Sequence, residues 1–285
     1  MHSNTAIPVG GRWGKLYAYR AQTDPFIHFD NDVFLWKRFP ARLESTPVLA
    51  QNPEDFLVGT SYYAPETFNN LLRECGGWPP EEWKWYGSVG PRRRAACCGF
   101  FGGNNVDFIR YYAETAISLI EHPRNQPGWA RLITKTGDNI LFEQYLLSAC
   151  INYHHNKMDS PFHKIDIRYL FAGPDEAFYS HSATELGYTH LIGSSKRNAQ
   201  ISGRLERRVQ REYPECYERI RGQPYNASLA ILSLDGNFKS HWRLLVDSRA
   251  SRDWIRRLAA GGSAFKADSR TFPHLHGFAC AWREL

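Results

Sequence analysis

The sequence predicts an α/β fold, a layered sheet with flanking helices, and three observations carry that expectation. Short strand-like runs alternate with segments of helical apolar spacing along most of the chain. No internal repeat, low-complexity tract or flexible linker breaks the alternation, so the chain reads as one compact unit. Hydrophobic residues at 42% and charged residues at 22% are proportions of a globular protein, and 285 residues are enough to bury a substantial core.

The elements follow in order. Gly11 to Arg20 reads as a helix leading into the first strand, and Pro25 to Trp36 is strand-like and apolar apart from Asp30-Asn31-Asp32. A short strand at Pro47 to Ala50 precedes a helix near Glu66 to Arg73. Ala95 to Asn105, small and aromatic residues ending in a Gly-rich turn, predicts a buried strand, and Val106 to Glu121 carries apolar residues at helical spacing. Asn139 to Leu147 looks like a helix start with Asp138 or Asn139 near the cap. A strand near Ile165 to Phe171, a short strand at His190 and a helix from Lys196 through Arg219 complete the main unit. Ala227 to Leu234 and the helix-like Asp253 to Ala259 belong to an ordered appendage, which divides the chain into residues 1–221 and 222–285.

The acidic interruption of the first strand needs compensation, because a buried ionised carboxylate is costly unless it is paired or coordinates a metal. Asp30 and Asp32, two apart at a strand's end, can converge on one divalent cation, and oxygen ligands suit Mg²⁺ or Mn²⁺. The same residues are favoured turn formers, so a plain turn between two hydrophobic strands is the competing reading.

Far down the chain stands a second motif, His190-Leu191-Ile192-Gly193-Ser194-Ser195-Lys196. Asp-x-Asp followed by a late His-x-x-Gly-x-x-Lys resembles glycosyltransferases of the GT-A fold, most closely family 8, over about residues 11 to 221. The resemblance implies a Rossmann-like layered sheet in which Asp30, Asp32 and His190 bind Mn²⁺ or Mg²⁺. Asp30, Gly193 and Lys196 then lie at the diphosphate of a nucleotide sugar. It places Gly102, Gly103 and Asn104 where sugar and acceptor meet. Glu143 and Gln144 stand where the family carries an Asp-Gln pair near the reacting carbon, with Glu one methylene longer. Each residue also has an ordinary role open to it. His190 can be a core histidine, Gly193 a turn residue and Lys196 the solvated start of a basic helix. Gly102 to Asn105 can be a helix entry with an Asn cap, and Glu143 and Gln144 the polar face of an amphipathic helix.

The implied function is metal-dependent transfer of a sugar, with retention, from a nucleoside-diphosphate sugar, a UDP-sugar foremost, to a glycan, lipid or protein acceptor. The alternative is a non-catalytic carbohydrate- or nucleotide-binding relic. A metal-dependent phosphohydrolase is a weaker third reading, since no further Asp, His or Glu cluster shows ligand spacing. One departure favours the relic. Only 29 residues precede Asp30, whereas the family has its first Rossmann-like strands there. The domain is therefore expected to lack those strands, and a parallel sheet without them would expose an edge.

A net charge of +6 and a pI near 9.0 suit a protein that handles phosphorylated donors, and leave peripheral contact with an anionic membrane surface open. The basic residues gather at Arg92 to Arg94 and along Lys196 to Arg221, where Arg204, Arg207, Arg208 and Arg211 mark one helix. No nucleic-acid-binding signature accompanies them, so no nucleic-acid partner is expected. Six cysteines without C-x-x-C pairing, no apolar run near the length of a membrane span and no signal peptide predict reduced thiols and a cytoplasmic location. Trp78, Trp83, Trp85 and Tyr86 crowd the segment Gly76 to Gly90, a candidate acceptor wall.

Overall fold

The computed structural model describes residues 14–43, 45–59, 63–132, 140–179, 181–221, 231–233 and 243–246. In chain order the elements are α1 (Gly14–Arg20), β1 (Phe26–Phe29), β2 (Val33–Leu35), β3 (Val48–Leu57), α2 (Pro65–Glu74), α3 (Glu81–Ser88), β4 (Arg92–Gly103), α4 (Val106–Glu121) and α5 (Gln126–Arg131). A π-helical stretch (Ile140–Tyr145) then leads into α6 (Leu146–Asn156), β5 (Ile167–Tyr169), α7 (Pro174–Phe178), α8 (His181–Leu186) and β6 (Tyr188–His190). A 3₁₀ turn (Gly193–Arg197), α9 (Ala199–Glu212), α10 (Pro214–Arg221), β7 (Ile231–Ser233) and β8 (Arg243–Val246) follow. The fold is mixed α/β. One sheet has the strand order β5-β3-β4-β1-β8-β7, and a separate ribbon pairs β2 with β6.

The main sheet is mixed, not parallel: β4 runs antiparallel to both β3 and β1, while β3–β5 and β1–β8 are parallel. The cause is local. β3 extends well past the four residues expected of it, to Leu57, and its long antiparallel ladder with β4 forms the sheet's centre. The exposed edge expected beside the acidic strand is absent from the described residues, because β8 pairs along the whole of β1.

Phe100 and Phe101, neighbours in β4, serve different layers. Phe101 and Cys98 face the larger core, built with α1, α2, α3, α4 and α6, whereas Phe100 packs with Phe29, Leu49, Phe171 and Tyr188 on the opposite face under α7 and α8. α4 matches its sequence pattern: its buried stripe runs from Val106 through Ile109, Tyr112, Ala113 and Ala116 to Ile120, and the Asn105 side chain caps it by accepting from Phe108 N at 3.0 Å.

Two expectations change. The segment Gly76 to Gly90 is only in part available as an acceptor wall, because residues 81–88 coil into α3 and turn Trp83 and Tyr86 into the core, where Trp83 Nε1 donates to Asn69 and Tyr86 OH to the Arg94 carbonyl at 2.9 Å, while Trp78 and Trp85 stay partly exposed. The long basic helix breaks into a 3₁₀ turn, α9 and α10, with Pro214 opening the last helix. Asp138, Asn139 and the segment 253–259 lie outside the described residues. Cys75, Cys97, Cys98 and Cys150 are free thiols. Among the described residues no helix is long and apolar enough to cross a membrane.

Gly102 shows how tightly the central strands meet: a Cβ there would sit 2.1 Å from the Phe26 carbonyl oxygen and 2.9 Å from Ile27 Cα. Gly102→Ala must therefore force β1 away from β4 and is expected to cost at least about 1–3 kcal/mol. Gly87→Ala in α3, where nothing lies within 4 Å of the added carbon, is expected to stabilise by about 0.4–1 kcal/mol. Urea denaturation of the two variants measures both.

Candidate metal and anion site

The chain leaves the main sheet after Phe29. The Asp30 amide still bonds to the Gly99 carbonyl at 2.9 Å, closing β1 against β4, and a turn closed by Val33 N to Asp30 O at 3.0 Å swings the chain into the ribbon. Asp30-Asn31-Asp32 is thus a turn between two hydrophobic strands, and it also gathers carboxylates. Asp30 ends the sheet and Asp32 begins the ribbon.

The ribbon register brings the two motifs together. Val33 stands opposite His190, Phe34 opposite Thr189 and Leu35 opposite Tyr188, and the Leu191 amide donates to the Asp32 carbonyl at 3.0 Å. One ligand atom from each of Asp30, Asp32 and His190 lies within 4.8 Å of the others. His190 Nε2 is 3.4 Å from Asp32 Oδ1, and the remaining Asp32 oxygen pairs with Lys196. Gly193 has φ +52° and opens the 3₁₀ turn that returns Lys196 to the acids three residues later.

Beneath Asp30 lies a charge pair that the motifs alone do not reveal. The Lys15 ammonium projects from α1 to Asp30 Oδ1 at 3.2 Å and to Glu143, whose side chain is 1% exposed. His28, buried in β1, reaches the same Asp30 oxygen through Nε2 at 3.0 Å. Burial raises the Asp30 carboxyl, but Lys15, followed by His28, outweighs it and holds the group well below the usual carboxylate range. Burial likewise lowers Lys15, and the charges of Asp30 and Glu143 more than reverse it, so the ammonium stays protonated. Asp32 is also lowered: burial opposes ionisation, and His190 and Lys196 prevail.

The π-helical winding places Glu143 here. Tyr112 OH donates to the Glu143 carbonyl at 2.8 Å and fixes the turn within the core. The widened turn separates the two polar residues that the sequence sets side by side: Glu143 points to Lys15, while the Gln144 side-chain amide meets Tyr63 OH, whose single hydrogen is available to Glu54 at 2.7 Å. Gln144 is accordingly placed away from the acids.

The Gly-rich turn is also elsewhere. Gly103 pairs with Phe26 and Gly102 with Ile27, at the end of β1 opposite Asp30, a separation of about 13 Å along the strand. Both glycines accommodate backbone, Gly102 that of β1 and Gly103 the Pro47 carbonyl, 2.1 Å from where a Cβ would lie. Asn104 donates through Nδ2 to the Ser45 carbonyl at 2.9 Å. In the structure these three residues build the far end of β4 and the entry to α4.

Sequence reading missed Lys15, His28, Gln51 and Gly99. Gly99 could have been noticed, since a lone glycine inside an apolar strand marks a close approach. A Cβ on it would lie 2.3 Å from His190 Cε1 and 2.5 Å from Gln51 Oε1. Lys15 was legible only as an ionisable residue next to the run Leu16 to Tyr19, every residue of which is buried.

Residues 11–223 match the family described as a family of unknown function, DUF6734. The chain belongs to that family. No curated protein and no solved structure matches this DUF6734 chain.

The donor set of this site, two carboxylates and one imidazole, is of mixed oxygen and nitrogen character acceptable to Mn²⁺ and less suited to Mg²⁺, which prefers oxygen alone. Asp32 Oδ1 is buried and receives no hydrogen bond. An unmet acceptor beside an imidazole nitrogen is where a cation would fit.

Lys15→Met would leave Glu143 and Asp30 without their buried countercharge and is expected to destabilise the DUF6734 protein by about 3–5 kcal/mol. Adding Glu143→Leu removes the stranded charge and should restore most of that loss. A urea double-mutant cycle checks the coupling.

Proposed function

We propose that this DUF6734 protein is a GT-A-like glycosyltransferase that moves a sugar from a nucleoside-diphosphate donor, a UDP-sugar foremost, to a glycan, lipid or protein acceptor. A single observation carries the reading: the β2–β6 register sets His190 against the Asp30–Asp32 turn, so that two sequence motifs far apart in the chain form one donor set. In this reading Asp30, Asp32 and His190 hold Mn²⁺ or Mg²⁺. When bound, the cation supplies Lewis-acid neutralisation of the departing diphosphate.

The chain's own groups do the rest. Lys196 has a half-exposed side chain and balances Asp32; once that acid engages a cation, its ammonium is free to meet a donor phosphate as a mobile point charge. Lys15 holds Asp30 ionised and oriented, with Glu143 as the positioning residue beneath it. Gly193 keeps the return turn short and free of a side chain next to the phosphates.

A second reading, a relic that binds nucleotide or carbohydrate without transfer, is favoured by the placement of Gly102, Gly103, Asn104 and Gln144 away from the acids. Thermal melting with a panel of nucleoside diphosphates, with and without Mn²⁺, separates the readings from no function at this site. A ligand at one hundred times its dissociation constant adds about 2.7 kcal/mol to stability. The expected outcome is a shift that requires nucleotide and Mn²⁺ together and is lost in Asp32→Ala, accompanied by hydrolysis or transfer of the matching nucleotide sugar. The same shift without turnover identifies the relic, and no shift in folded protein rejects both.

A further inference from the structure

Between Ala50 and Asn52 the β3–β4 ladder slips: Ala50 stands opposite Phe101, but Asn52 stands opposite Cys97. Gln51 occupies the slip and is fully buried. The extra residues of this bulge lie in β4, where Cys98 to Phe100 span the place opposite Gln51 alone, and the Gln51 amide meets His190. Its Oε1 lies 2.8 Å from His190 Nδ1 and 2.6 Å from Tyr188 OH.

Proton bookkeeping along this network has a fixed end. The Pro53 carbonyl can only accept, so the Asn52 group facing it at 3.2 Å is the amide nitrogen. Asn52 Oδ1 therefore faces Gln51 and takes a hydrogen from Gln51 Nε2 at 3.1 Å. That turns Gln51 Oε1 toward the ribbon as an acceptor with two lone pairs. The Tyr188 hydroxyl donates to that oxygen at 2.6 Å. One lone pair takes the Tyr188 hydrogen, and the other requires a hydrogen on His190 Nδ1.

We infer that Gln51 is a positioning residue that locks His190 as the Nδ1–H tautomer and thereby presents the Nε2 lone pair to a divalent cation held with Asp30 and Asp32. The geometry at the other nitrogen agrees. Nε2 and Asp32 Oδ1 stand 3.4 Å apart, beyond the ordinary range of a hydrogen bond, and that carboxylate oxygen is buried without a donor. Two acceptors facing one another are reconciled by a cation between them. Gly99 forms the floor that lets Gln51 and His190 approach, since any side chain there would overlap both. Ligand histidines commonly have their second nitrogen fixed by an acceptor in this way, and loss of that acceptor typically costs 10–100-fold in metal affinity.

The inference rests on the proposed cation site but not on sugar transfer. The first test is ¹⁵N NMR of the His190 ring in cation-free full-length protein at neutral pH, assigned with His190→Gln. A hydrogen on Nδ1 and none on Nε2 is expected, and a hydrogen on Nε2 overturns the lock. The second is Mn²⁺ binding followed by electron paramagnetic resonance. Because Gln51→Leu alone strands the buried Tyr188 hydroxyl, the variant used is Gln51→Leu with Tyr188→Phe, compared with Tyr188→Phe alone. The double variant should bind Mn²⁺ about 10–100-fold more weakly than the single one, while Gln51→Glu, which keeps an acceptor, should stay close to the unmodified protein. Equal affinity in the single and double variants, or no Mn²⁺ binding by the unmodified protein, overturns the inference. Gln51-dependent Mn²⁺ binding without any nucleotide binding upholds it and rejects the transferase.

Discussion

Three separate elements meet at the ammonium of Lys15. α1 supplies the lysine, the end of β1 supplies Asp30 and the π-helical turn before α6 supplies Glu143. A buried carboxylate such as Glu143 is tolerable only with a countercharge, and a buried ammonium only with carboxylates. Neither side can be withdrawn singly. The larger core forms around this pair, because Leu16 and Tyr19 of α1, Phe26 of β1 and Phe142 of the turn all pack into it.

Charge balance also organises the layer above. Asp32 faces Lys196 and His190, Asp30 faces Lys15 and His28, and each acid retains coordinating capacity that its partners do not exhaust. The two acids differ in support. Asp30 is backed by the mostly buried Lys15 of α1 and the buried His28 of β1, whereas Asp32 faces His190 and a half-exposed lysine from the 3₁₀ turn.

The ribbon is the hinge between the sheet and the basic helices. Trp36, just past β2, donates through Nε1 to Thr189 Oγ1 at 3.1 Å, stacks on Phe34 and carries the Arg208 guanidinium 4.0 Å above its ring. One indole thus connects β2, β6 and α9. The basic residues of α9 are consequently tied to the same ribbon that presents Asp32 and His190. Arg208 also pairs with Glu212 along the helix, so part of the positive charge read from composition is neutralised locally.

The sequence by itself determined the α/β class, the helices α2 and α4, and the residue types at the acidic cluster. Those properties are local: apolar periodicity, a capping Asn105 and two carboxylates that apolar neighbours could not leave uncompensated. It also marked His190 and Lys196 as candidates, through a motif and not through any contact it could state. Only the tertiary structure decided that β1 and β4 pair antiparallel, which set Gly102, Gly103 and Asn104 at the opposite end of β1 from Asp30. The same is true of Glu143 and Gln144, which a π-helical turn sends to different partners, and of Lys15, His28, Gln51 and Gly99, which join the site from separate elements. Strand register and helix winding are set by long-range packing, and a shift of one residue reverses which face a side chain serves. No local pattern encodes them.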